Sequence, residues 1–296
     1  MTSSLDFSKA MTAWAERTPS VVGLVLIGSR ERSKEDLLWR ADSLSDWDFQ
    51  IITSQPALFE RRSWATDITG SKLLSYAART ATIGGVPKVS AIFSDFEVDF
   101  VIIPAASARL MRTLVGLGLH RRSSKVRRRL QDLAVVIRPG WRFLKGGSQW
   151  EEFYRRITAE VSDPRLCNEM VQKLAEGFAC DYIWTLRKIE RGELRAAQRM
   201  LYRELAEVNY RLLHELKLRR VERTFPEARR LERIASDEEL RSVTVQTALE
   251  KSSLREAVEK SAATCRDLLS ELIGDLWQWP YRTLMDPDPE ASDQPR

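Results

Sequence analysis

Seven consecutive residues, VVGLVLI at 21–27, are apolar, and the run stops abruptly at Gly28-Ser29. A strand without polar alternation has to be covered on both faces, so this run calls for a sheet held between other layers. Gly28-Ser29 then reads as the turn that ends it. The next strand candidate, 46–53, alternates instead: Asp46, Asp48 and Gln50 fall on one face, and Trp47, Phe49 and Ile51 on the other. Residues 56–81 are expected to be largely helical and to end near Gly84-Gly85. Segments 89–93 and 96–103 follow as two strands joined at Ser94-Asp95, the pattern of a hairpin. A helical stretch over about 105–131 and a short strand at 133–137, stopped by Pro139-Gly140, complete this half.

Beyond Ser148 the period changes from two to 3.6. Met170, Val171, Leu174, Phe178, Tyr182, Leu186 and Ile189 form one apolar stripe, stopped at Gly192. A second stripe runs from Leu194 to Leu216 and a third from Leu254 to Leu276. Such stripes bury one another as a helical bundle. The expected domains are therefore residues 1–147, residues 148–282, and a polar, proline-rich tail at 283–296 expected to be disordered.

Composition excludes several kinds of chemistry. A hydrophobic content of 43% over 296 residues is enough for real cores, and no segment has the roughly 18 apolar residues of a membrane span. Cys167, Cys180 and Cys265 are scattered through apolar patterns, forming neither a disulfide framework nor a metal-ligand spacing; a reducing cytoplasm is the expected location. His120 and His214 leave little material for a histidine triad or a zinc site. The net charge of +5 favours anionic partners, and the basic run Arg121, Arg122, Lys125, Arg127, Arg128, Arg129 is its densest point. That run reads first as the solvated side of a helix.

The chemistry concentrates in three places. Asp46 and Asp48 share a strand face, where like charges repel unless a cation sits between them; Mg2+ takes just such carboxylates together with phosphate oxygens and water. Asp99 lies among Val98, Phe100, Val101, Ile102 and Ile103, a costly place for a carboxylate. Glu97, two residues away on the same face, is the alternative for the same role. Gly28 lets the backbone approach an anion, Ser29 would direct its hydroxyl to phosphates, and Arg30 adds a guanidinium that can fork onto phosphate oxygens.

In these residues the chain resembles the polymerase-β-like nucleotidyltransferase superfamily, whose pattern is an apolar strand, Gly-Ser, Asp-apolar-Asp, and a third acid on a later strand. The stretch LIGSRERSKEDLLWRADSLSDWDFQII is most similar to the aminoglycoside 6-adenylyltransferase (streptomycin adenylyltransferase) group, and Trp184 with Arg191-Gly192-Glu193-Leu194 echoes the helical domains of antibiotic nucleotidyltransferases. The chain departs from that group at VVIRPGW, 135–141, where Arg138 reverses the usual acidic charge.

The resemblance implies an α/β (α+β) nucleotidyltransferase domain with a mixed sheet, followed by an all-α domain. It further implies an enzyme that moves AMP from ATP to an acceptor hydroxyl. Gly28, Ser29 and Arg30 would bind the nucleotide, Asp46, Asp48 and Asp99 would bind two Mg2+ ions, and Asp99 would also help deprotonate the acceptor. The acceptor class is an aminoglycoside-like small molecule, with RNA or protein as other acceptors. The helical domain is expected to form the far wall of the cleft and to select the acceptor, with Asp181, Tyr182, Trp184, Glu190 and Glu193 as candidates. The reading from a different class is a non-catalytic module that binds a protein or nucleic acid partner, as in toxin–antitoxin systems; three filled acidic positions favour the enzyme.

Overall fold

Helix α1 (Ser4–Arg17) places Phe7, Met11 and Trp14 at helical spacing, and each is at most 4% exposed. It is followed by strand β1 (Val21–Ile27), a tight turn at Gly28–Glu31, and β2 (Trp47–Thr53). Next come α2 (Ser63–Thr66), β3 (Leu73–Thr80), β4 (Pro87–Phe93) and β5 (Glu97–Pro104). Helices α3 (Ala105–Gly116), α4 (Leu119–Arg122) and α5 (Ser124–Ile137), strand β6 (Trp141–Lys145) and helix α6 (Gly147–Glu160) complete a first unit, Met1–Pro164. The computed structural model describes residues 4–32, 41–68, 71–81, 85–225 and 227–280.

The six strands form one mixed sheet in the order β3-β4-β5-β2-β1-β6. Only β2 and β5 run parallel; the other neighbours are antiparallel. One face packs Leu24, Leu26, Phe49, Ile51, Phe100 and Ile102 against α1 and the aromatic pair Phe59 and Trp64. The other face packs Val25, Ile27 and Ile52 against α3, α5 and α6, including fully buried Trp150 and Tyr154. The uninterrupted apolar character of β1 follows from this double cover: alternate residues serve opposite cores, each large side chain contributing about 1.5–3 kcal/mol of burial.

Several expectations need correction. Residues 56–81 are not largely helical. Two short helical turns precede β3, an edge strand whose backbone takes up the outer hydrogen bonds of β4; that pairing overrides the local helical pattern. The stretch 105–131 is broken at Gly118, where φ is +69°, between α3 and α4. Residues 133–137 are the last turns of α5, with Leu130, Ala134 and Ile137 buried on one side, and the strand comes after Pro139-Gly140 as β6. The β-branched residues Val135, Val136 and Ile137 thus end a helix, where their type alone suggests a strand.

Ser123 caps α5, and in the basic run Arg121 pairs with Glu160 while Arg127 donates to the His120 and Arg121 carbonyls. Arg122, Lys125 and Arg128 are exposed. Part of this charge thus holds helix ends together.

The second unit, Arg165–Arg296, is helical wherever it forms regular structure among the described residues. Helix α7 (Asn168–Glu190) is followed by α8 (Leu194–Met200), a π-helical segment Leu201–Ala206 and α9 (Glu207–Arg219), then short α10 (Leu231–Ile234), α11 (Asp237–Val243) and long α12 (Lys251–Ile273). The three stripes read from the sequence make one core: Phe178, Leu186, Leu201, Leu212, Val258 and Leu268 are among its buried members. Helix α6 buries Trp150, Phe153, Tyr154 and Ile157 in a core shared with β1, β2, α3 and α5, within the unit that runs to Pro164. The tail 283–296 lies outside the described residues.

Candidate active site

The ends of three strands bring the acids together. In the parallel pair Asp48 stands opposite Asp99, and in the antiparallel pair Ile27 stands opposite Asp48, so Gly28 leaves β1 directly beside the Asp48 carboxylate. Asp46 precedes β2 by one residue. One carboxylate oxygen from each of Asp46, Asp48 and Asp99 lies within 4.8 Å of the others, and all three residues are half-buried. Full charges at that spacing repel by about 3 kcal/mol per pair at an effective dielectric of roughly 20. Glu97 is exposed at the start of β5 and stands outside this cluster.

Gly28 is required here on two counts. Its φ of +80° is a left-handed conformation, and a β-carbon at this position would lie 2.5 Å from Asp48 Oδ2. The turn it starts is braced from the next strand: Arg142 of β6 forks onto Glu31, with Nη2 2.8 Å from Oε1. Gly140 permits this approach, since a β-carbon there would sit 2.2 Å from the Glu31 carbonyl oxygen. The segment that departs from the resembled group therefore builds the back of the turn.

Arg30 lies against the 45–47 backbone. Its Nε donates to the Asp46 carbonyl at 2.9 Å, its Nη2 to the Ser45 carbonyl, and its guanidinium lies 4.2 Å from the centre of the Trp47 ring. Burial pushes its pKa down from the ordinary value, while Asp46, Asp48 and Asp42 pull it up. These contacts tie the guanidinium to the 45–47 backbone that carries Asp46.

Two residues absent from the sequence reading complete the surroundings. Lys88 Nζ lies 2.5 Å from Asp99 Oδ2, and Ser90 Oγ donates to Asp99 Oδ1 at 2.5 Å. Both come from β4, where Ser90 is the direct partner of Asp99. A strand begun at 89 omits Lys88; the signal was the period-two pair Lys88 and Ser90 facing the acidic side of the hairpin. Behind the acids the same face of β2 is closed by Gln50, 2% exposed, whose Oε1 accepts from Tyr154 Oη at 2.7 Å.

The helical unit has its own polar features. Tyr182 is buried and its hydroxyl meets Glu259 at 2.9 Å, Glu193 pairs with Lys188 at 2.7 Å, and Glu190 pairs with Arg255. Asp181 is half-buried, and burial together with the nearby Glu204 carboxylate pushes its pKa up. Trp184 and Tyr202 expose 55% and 44% of their surface. A cavity of about 180 Å3 within this unit is lined by Asn209, Ser242, Thr244, Glu256, Lys260 and Ser261 among others.

No family profile and no curated protein matches the chain. Among solved structures it is similar to an aminoglycoside 6-adenyltransferase from Bacillus subtilis, with a TM-score of 0.40 and 10% identity over 95% of this chain and 94% of the other. It is also similar to a nucleotidyltransferase-like protein from Exiguobacterium sibiricum 255-15, with a TM-score of 0.34 and 9% identity over 90% of this chain and 76% of the other. No helix among the described residues is long and apolar enough to cross a membrane.

Proposed function

We propose that the chain is a divalent-cation-dependent nucleotidyltransferase, moving a nucleoside monophosphate, AMP from ATP in the simplest case, to an acceptor hydroxyl. The observation that carries this reading is the meeting of Asp46, Asp48 and Asp99 beside a glycine turn that a side chain would block. Three hard oxygen donors from separate backbone positions, with no histidine or cysteine among them, suit Mg2+ or Mn2+. When bound, such an ion, or a pair of ions, would neutralise phosphate charge and make the acceptor hydroxyl more acidic.

The remaining steps belong to the chain's own groups. Gly28 keeps the space beside Asp48 open, and Ser29 offers its hydroxyl at the same turn. Arg30 holds Asp46 and Trp47 in place rather than gripping phosphate. The acceptor oxygen forms a bond to the α-phosphorus, the bond from that phosphorus to the pyrophosphate oxygen breaks, and the acceptor's proton passes to Asp99. For the acceptor, we propose a small molecule that bears a hydroxyl, such as an aminoglycoside-like compound.

Incubation with α-labelled ATP, Mg2+ and panels of aminoglycosides, RNAs and proteins tests the reading. Label should pass to one class, with pyrophosphate released. Asp48→Asn should stay folded and lose more than the roughly 10–100-fold that changes behind a metal's ligands cost. Near wild-type transfer in that variant would remove Asp48 from the site; no transfer to any class would favour the non-catalytic module.

A further inference from the structure

The geometry points to Lys88 as a built-in counter-ion that pairs with Asp99 and competes with a divalent cation for the three carboxylates. This rests on the cation reading above. Both Asp99 oxygens are engaged, Oδ2 by the Lys88 ammonium and Oδ1 by the Ser90 hydroxyl, each at 2.5 Å. Yet Asp99 is also one of the three acids whose oxygens converge within 4.8 Å. An ammonium and a divalent cation brought to the same carboxylate repel each other as like charges, so the two compete for Asp99.

The surroundings make this competition stronger than at an ordinary surface pair. Side-chain exposure is 29% for Lys88 and 19% for Asp99, so solvent screens the contact only in part. Lys88 reaches Asp99 diagonally across the β4–β5 ladder, since its direct partner is Val101. The ammonium on a flexible four-carbon stem can withdraw without moving the strand, whereas Ser90, directly opposite, continues to orient the carboxylate. Lys88 is thus a positioning residue that keeps the acids from repelling one another before the cation arrives and sets how tightly that cation binds.

Mn2+ titration by calorimetry, with free Mn2+ followed by electron paramagnetic resonance, tests this on the full chain. Lys88→Met should bind Mn2+ roughly tenfold more tightly than wild type, the scale of losing one charge-assisted competitor, and Lys88→Arg should stay near wild type. Equal or weaker binding by a folded Lys88→Met overturns the proposal. A second readout uses the unaltered protein: Mn2+ should speed acetylation of Lys88 by an amine-directed reagent, measured by mass spectrometry. An unchanged or slower rate overturns it as well. Asp48→Asn separates the two readings: wild-type binding that Asp48→Asn abolishes, with Lys88→Met unchanged, rejects only the role of Lys88. If no variant binds Mn2+ in an Asp48-dependent way, the cation reading falls, and this inference with it.

Discussion

A single missing β-carbon makes the acidic cluster accessible from β1. At Gly28 an alanine methyl would have to adopt φ +80° and displace Asp48 Oδ2 from 2.5 Å. Gly28→Ala is expected to lower stability by about 1–3 kcal/mol, through backbone strain and the forced shift of Asp48. It should also weaken Mn2+ binding. Urea midpoints and the same titration measure both; Gly116→Ala, where an added methyl meets nothing within 4 Å, is the control. An unchanged midpoint and affinity in Gly28→Ala would mean that the turn does not need glycine. Arg30 shows the same scale of control from the other side, with its two carbonyl contacts and Trp47 fixing the backbone that carries Asp46.

Among the elements, β2 is the one on which the site depends. Its apolar side faces one core, while its other side begins with carboxylates and continues as Gln50 and Ile52 beneath α6. The Tyr154–Gln50 hydrogen bond therefore ties helix α6 to the strand two residues behind Asp48. Tyr154 is fully buried, and burial pushes its phenol well above the ordinary range, so it remains a donor at any working pH. Tyr154→Phe leaves the Gln50 carbonyl without that donor and is expected to cost about 1–3 kcal/mol, read as a lower urea midpoint. A double variant that adds Gln50→Leu should recover part of the loss, because no polar atom is then stranded. If Tyr154→Phe alone is as stable as wild type, the bond does not anchor α6.

For the whole molecule, the cysteines offer a simple report on integrity. Cys167 and Cys180 are exposed and Cys265 is buried, all three as free thiols. Burial pushes the Cys265 thiol up to about 12, so at neutral pH it stays neutral and shielded in the α7–α9–α12 core. An aromatic disulfide reagent should titrate two thiols in the native protein and three in denaturant, with the third appearing only as the helical core opens. Three fast thiols in the native state would show that this core is not closed.

The amino-acid order by itself determined the doubly covered β1, the three helical stripes and the placing of Gly28, Asp46 and Asp48 at neighbouring strand ends, because periodicity and local chemistry repeat over short distances. Only the tertiary structure decided that 73–80 is an edge strand, that 133–137 completes a helix, that α6 belongs to the first core, and that Asp99 rather than Glu97 joins the acids. It also placed Lys88 and Ser90 on Asp99 and turned Arg30 onto backbone carbonyls. Most of these depend on which segments lie beside one another, and the hydrogen bonds and charges between distant segments do not follow from local periodicity alone.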